Sequence, residues 1–113
     1  MSALVVQHAW QEPHCLISMM GEARLENVDT FDAVVMEIGE RPVCTGVILD
    51  LAAIEFMDSA STGSILRLHG MMAARDGKLV MHSLPRFVAR LFDRLGLDQF
   101  VLAGSAEEAV THL

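Results

Sequence analysis

The chain is poor in cysteine, in basic residues and in long apolar runs, and each shortage removes a class of function. Cys15 and Cys44 are isolated, without CxxC spacing, and read as buried thiols of a reducing compartment rather than a disulfide. The histidines His8, His14, His69, His82 and His112 are scattered, and only the adjacent His14 and Cys15 come near each other, so no metal is expected. Lys and Arg total 8 against 15 Asp and Glu, for a formal net charge of -7 with no basic block. A nucleic acid or an anionic membrane would bind against that field, and neither is expected as a partner. No run approaches the ~20 apolar residues of a membrane span, and the N-terminus carries no basic leader, so no membrane insertion and a cytoplasmic location are expected. Neither Gly-x-x-x-x-Gly-Lys-Ser/Thr nor Gly-x-Gly-x-x-Gly occurs, which leaves nucleotide binding without a motif and no cofactor expected.

What is present describes one domain over residues 1–113. Hydrophobic residues make up 52% of the chain against 20% charged, enough for a filled core with apolar surface to spare for a partner. There are no internal repeats and no low-complexity linkers.

Leu4 to Trp10 and His14 to Met20 read as two strands joined by Gln11, Glu12 and Pro13, a hairpin break, with Trp10 packed on a sheet face nearby. Gly21 and Glu22 close the second strand. Asn27 is placed to cap a helix whose apolar positions Val28, Phe31, Val34 or Val35 and Ile38 recur at helical spacing until Gly39 and Pro42. A third strand then runs from Val43 or Gly46 to Leu49, and the strand-helix-strand order suggests a right-handed crossover. Ile65, Leu68, His69 and Met72 mark a second helix, stopped near Arg75, Asp76 and Gly77. Leu79 to Met81 is a fourth strand. Ser83 is positioned to cap a third helix with Pro85 in its first turn and Phe87 or Val88, Leu91, Phe92 and Leu95 buried, ended by Gly96. Phe100 to Leu102 is a short last strand, and Ser105 with Glu108 forms a capping box for a final helix, Ala106 to Leu113.

The most informative stretch runs from Val47 to Gly63. Val47, Ile48 and Leu49 form an apolar run too short for a helix, as expected of a strand buried on both faces. Asp50 ends it, a second apolar patch follows at Ile54, Phe56 and Met57, and the chain then turns small and polar through Asp58, Ser59, Ala60, Ser61, Thr62 and Gly63. That cluster sits where a strand hands over to a helix N-terminus, the place where open α/β sheets put functional groups.

Leu49-Asp50-Leu51, Phe56-Met57-Asp58-Ser59 and Gly63 resemble the signature of STAS domains, especially the bacterial anti-sigma factor antagonists. Gly21-Glu22, Gly77-Lys78-Leu79-Val80 and Leu91-Phe92-Asp93-Arg94-Leu95-Gly96-Leu97 extend the resemblance over nearly the whole chain. It implies an α/β fold: a single STAS-type domain with a mixed, mostly parallel sheet of four to five strands and about four helices on one face. It also implies a regulatory protein rather than an enzyme, in which Ser59 is phosphorylated by a partner kinase. The partner would be an anti-sigma factor serine kinase bringing its own ATP and magnesium, and phosphorylation would release it. Glu22, Arg24, Asp58, Ser59, Ala60, Ser61, Thr62 and Gly63 are the expected contact residues. Arg24 stands where the family commonly has Asp, Ala60 occupies the second hydroxyl position of its turn, and Ser61 replaces its Gly.

The residues by themselves leave alternatives open. Asp58, Ser59 and Ser61 are also ordinary helix-capping residues. Ser61 is a second candidate phosphoacceptor or the N-cap itself, Thr62 a third acceptor, and a Ser at 61 would put a side chain in the kinase's way. The domain could equally be a non-switching STAS module that binds a transport ATPase or another signalling protein. A Ser-His-Asp hydrolase is disfavoured because no Gly-x-Ser-x-Gly elbow surrounds Ser59.

Overall fold

The computed structural model describes residues 3–97 and 100–113. Five strands, β1 (Leu4–Gln11), β2 (His14–Ala23), β3 (Gly46–Met57), β4 (Lys78–His82) and β5 (Val101–Ala103), form one sheet in that spatial order. Four helices, α1 (Asp29–Gly39), α2 (Ser59–Ala74), α3 (Arg86–Arg94) and α4 (Ala106–Thr111), connect or follow them. β1 and β2 are an antiparallel hairpin turning at Glu12 and Pro13, and every later neighbour is parallel. The expected mixed, mostly parallel sheet is therefore present.

The helices do not all lie on one face. Cys15, Ile17 and Met19 of β2, Val47, Leu49 and Leu51 of β3, and Leu79 and Met81 of β4 join the buried residues of α1, α2 and α3 in one core. Ile48 and Val80 point the other way and form a second cluster with Ala109 of α4. The cause is in the sequence: consecutive apolar residues on a strand occupy both faces of the sheet, and each face must be covered. α4 covers β3 and β4 on the reverse side, while no helix lies over the reverse side of the β1–β2 hairpin among the described residues.

Strand lengths depart further from expectation. β3 continues through Asp50 to Met57, and β2 runs on past Gly21 to Ala23. β3 pairs with β4 only from Gly46 to Asp50, so beyond that point β3 pairs with β2 alone, with register shifts at Ser18/Met20 and Gly21/Glu22. Such bulges bend a strand pair and increase its twist. Here Leu51, Ile54 and Met57 are carried into the core while Ala52, Ala53, Glu55 and Phe56 face solvent.

Several caps use other residues than their types suggested. Asn27 does not cap α1; its side chain bridges the Arg24 N–H and the Glu22 carbonyl, and Val28 stands at the cap without a side-chain bond. Ser83 adopts positive φ and pairs with the His82 ring, leaving Pro85 at the N-cap of α3. Glu108 reaches the Gly104 N–H while Ser105 accepts from the Glu108 N–H, a capping box displaced by one residue. At the end of α3, Gly96 is left-handed and the Leu97 N–H bonds the Phe92 carbonyl at 2.9 Å, the Schellman closure expected of a glycine there. At the end of α2, however, Asp76 takes the left-handed position, and Gly77 serves a different need.

A side chain on Gly77 would fall on the Thr45 carbonyl, which accepts the Lys78 N–H in the first rung between β3 and β4. Gly77→Ala should therefore lower the unfolding free energy by ~2 kcal/mol or more. Gly70→Ala, in open space on the exposed side of α2, should raise it by ~0.5–1 kcal/mol. Urea titration of the two variants checks both signs.

Candidate functional site

The β2–β3 extension brings the chain segments around Ala23 and Met57 side by side, and the Asp58 N–H bonds the Ala23 carbonyl at 3.1 Å. Asp58 is thus held at the end of β3 in extended backbone as the N-cap of α2. One of its carboxylate oxygens accepts both the Ser61 N–H at 2.9 Å and the Ser61 hydroxyl at 2.8 Å. The other accepts the Leu25 N–H at 2.9 Å, from the β2–α1 loop. Its carbonyl takes the Thr62 hydroxyl at 3.1 Å.

These bonds sort the three hydroxyls of the turn. Ser61 and Thr62 are 0% and 1% exposed and both donate to Asp58, so neither offers a free hydroxyl. Ser61 is not the N-cap but the residue that the N-cap holds. Its side chain is buried. Ser59, Ala60 and Gly63 are exposed, and the helix starts at Ser59 rather than near Ile65. The N–H groups of Ser59 and Ala60 lie in the first turn, where no intrahelical acceptor exists.

Glu22 and Arg24 form one unit beside this turn. The Glu22 carboxylate accepts from Arg24 Nε at 3.0 Å and Nη2 at 2.7 Å, and the guanidinium lies 4.1 Å above the Phe56 ring centre. The positive charge at position 24 is therefore balanced internally. Two residues join this surface that the motif did not single out as contacts: Leu25, 68% exposed, and Phe56, 37% exposed. Phe56 belongs to the apolar patch before the turn, whose odd outward member was the available signal. Nothing in the pattern around Leu25 distinguished it.

The Asp58 carboxyl feels opposing influences. Partial burial pushes its pKa up, but the hydrogen bonds from Ser61 and Leu25 and the nearby Arg24 charge outweigh burial and hold it below the usual carboxylate range. The thiols behave differently: burial pushes Cys15 up to about 12 and raises Cys44 as well, so both stay protonated and inert. Both cysteines are free and buried, and no group of three or more metal-ligating side chains gathers among the described residues.

The fold is a mixed α/β sheet with a strand-to-helix turn at Asp58, and comparison with known proteins names the family. The STAS domain model matches residues 6–110, and the chain belongs to the STAS family. The solved structure of the anti-sigma factor antagonist SpoIIAA in its unphosphorylated form is 17% identical with a TM-score of 0.75, covering 97% of this chain and 96% of that one. The Bacillus cell fate determinant SpoIIAA in the phosphorylated form is 20% identical at a TM-score of 0.75, covering 97% and 98%. An anti-sigma factor antagonist from Mycobacterium paratuberculosis is 19% identical at 0.76, covering 97% and 93%. At these identities the structural likeness establishes the shared fold. No helix among the described residues is long and apolar enough to cross a membrane.

Because its folded pKa is depressed, Asp58 contributes stability that is complete above the ordinary carboxylate pKa of about 4 and is lost as pH falls through the lower folded value. Asp58→Ala should cost ~1–2 kcal/mol at neutral pH, the usual worth of an N-cap. The gap between parent and variant should narrow steadily in acid. Urea unfolding at a series of pH values from about 7 to 2.5 measures it.

Proposed function

We propose that this STAS domain is a cytoplasmic bacterial signalling protein of the anti-sigma factor antagonist type, acting on transcription by protein binding rather than catalysis. In this reading it holds an anti-sigma factor serine kinase while Ser59 is unmodified and is released when that kinase phosphorylates Ser59. ATP and magnesium belong to the kinase. The observation that carries the proposal is that, of the three hydroxyls between Asp58 and Gly63, Ser59 alone is exposed and not held by Asp58.

A phosphate on Ser59 would add about -1.5 to -2 charge and three acceptor oxygens beside the free first-turn N–H groups of α2. The helix end favours the anion. Asp58 and an apolar or acidic partner surface pressed against Leu25, Phe56 and Ala60 oppose it. The fold therefore tolerates the group while the interface does not. Losing ~3 kcal/mol at that contact weakens binding by more than a hundredfold. Two features that would favour a non-switching module binding a transport ATPase carry little weight: the Ser61 side chain is buried, and the Arg24 charge is paired with Glu22.

With the cognate kinase and ATP, intact mass should rise by one phosphate in the parent and not in Ser59→Ala. Ser59→Asp should bind the kinase at least about a hundredfold more weakly, with an unchanged melting temperature. Phosphate persisting in Ser59→Ala, or an aspartate variant that binds as the parent does, would overturn the assignment.

A further inference from the structure

We propose that the outer edge of β1 is a self-association surface, pairing antiparallel with β1 of a second copy about a twofold axis at Gln7. β1 is a terminal strand of the sheet and pairs with β2 through eight consecutive residues with no bulge. Edge strands are ordinarily blunted by charge, proline, bulges or shortness. Leu4–Gln11 has none of these: it is eight residues long, contains no Asp, Glu, Lys, Arg or Pro, and spans ~26 Å. At the opposite edge, β5 has three residues. The protection is thus one-sided.

The ladder determines which groups β1 offers. The Glu22 N–H bonds the Ala3 carbonyl at 2.9 Å, and hydrogen-bonded positions recur every second residue. Val5, Gln7, Ala9 and Gln11 therefore bond to β2, while Leu4, Val6, His8 and Trp10 turn their N–H and C=O groups outward. His8 agrees: as a residue it is exposed, yet its side chain is only 26% exposed, so the open part is its backbone.

A second copy fits this edge in one register better than in any other. A twofold axis normal to the sheet keeps helix-bearing faces together and requires outward residues to meet outward residues. With the axis at Gln7, Leu4 opposes Trp10 and Val6 opposes His8, so all four outward residues of each copy are paired. Moving the axis to Val6 or His8 leaves one of them unpaired, and at His8 it also sets two imidazoles opposite each other. On the reverse face Val5 meets Ala9 and Gln7 meets Gln7, so no charge opposes a like charge. The neighbouring helix flank is compatible. His8 bonds Glu37 at 2.9 Å, which places that flank of α1 over β1, and at 100° per residue it also carries Thr30 and Ala33, both small. Close by, Arg41 stacks 3.9 Å above Trp10, pairs with Glu12 at 3.7 Å and lines one hollow with Glu37 and Glu40.

Sedimentation equilibrium of the parent from about 1 µM to 1 mM should show monomer passing to dimer. Gln7→Glu, which sets two carboxylates opposite each other at an exposed position, should raise the dissociation constant at least about tenfold. Gln7→Cys should give a disulfide-linked dimer under mild oxidation, since facing residues at a non-hydrogen-bonded pair lie about 4.5 Å apart at Cα, within disulfide range. Val5→Cys should not, because its mate is four residues away along the facing strand. Cys15 and Cys44 are buried and will not compete. A monomer at every concentration, a dimer indifferent to Gln7→Glu, or equal cross-linking at positions 5 and 7 would each overturn the proposal. None of these readouts depends on Ser59.

Discussion

The carboxylate of Asp58 is the interaction on which the candidate surface depends. It ends β3, begins α2 and, through the Leu25 N–H, anchors the loop that leaves β2. The β3–α2 junction and the loop after β2, 33 residues away in sequence, are thereby held to one another by the two oxygens of a single side chain. A charge-assisted hydrogen bond is stronger than a neutral one, and here three donors converge on the same group. The carboxylate keeps Ser61 turned inward, the Asp58 carbonyl holds the Thr62 hydroxyl, and Ser59 is left exposed. The capping reading and the phosphoacceptor reading of this turn are therefore not rivals: Asp58 caps, Ser61 is held by the cap, and the neighbouring serine is left available.

The sheet supplies the second constraint. Its central strands are apolar on both faces, so α1, α2 and α3 pack on one side and α4 on the other. Among the described residues, Val5, Gln7 and Ala9 on the reverse face of β1 are exposed, and α4 reaches only as far as Leu16 and Ser18 of β2. The reverse face of the hairpin is thus partly open beside an uncharged terminal strand. Arg75 shows how firmly the covered side is tied: its guanidinium donates to the Gly39, Arg41 and Cys44 carbonyls, closing the end of α1 and the loop into β3 from across the interface with α2. A basic residue at the C-cap of one helix thus completes another.

The order of elements, the hairpin, the amphipathic faces of α1 and α3 and the location of the turn were legible in the chain. Periodicity and glycine stops report local geometry, and here local geometry survives folding. Phe31, Val34, Val35 and Ile38 are all buried, as their spacing implied. Leu95, read as part of the α3 stripe, is 43% exposed, because it stands just past the helix end, where the direction of the stripe is lost. Asn27 and Ser83 had the right chemistry for caps but found nearer partners in Arg24, Glu22 and His82. Side-chain type declares what bonds a residue can make and is silent on which partner will be closest.

By itself, the sequence determined an α/β fold, its family and the six-residue turn from Asp58 to Gly63, since alternation of apolar and polar residues and a contiguous motif are properties of neighbours along the chain. Only the tertiary structure decided which hydroxyl of that turn faces solvent, how the charge of Arg24 is balanced, that Leu25 and Phe56 border the site, and that α4 crosses to the reverse face. The placing of Leu25 and Phe56 and the crossing of α4 rest on contacts between residues remote in the chain, Asp58 with Leu25, Arg24 with Phe56, and Ile48 and Val80 with Ala109, while Ser61 and Arg24 find their partners only three and two residues away. Burial and partner choice are set by what arrives from elsewhere in the fold, and no local pattern encodes that.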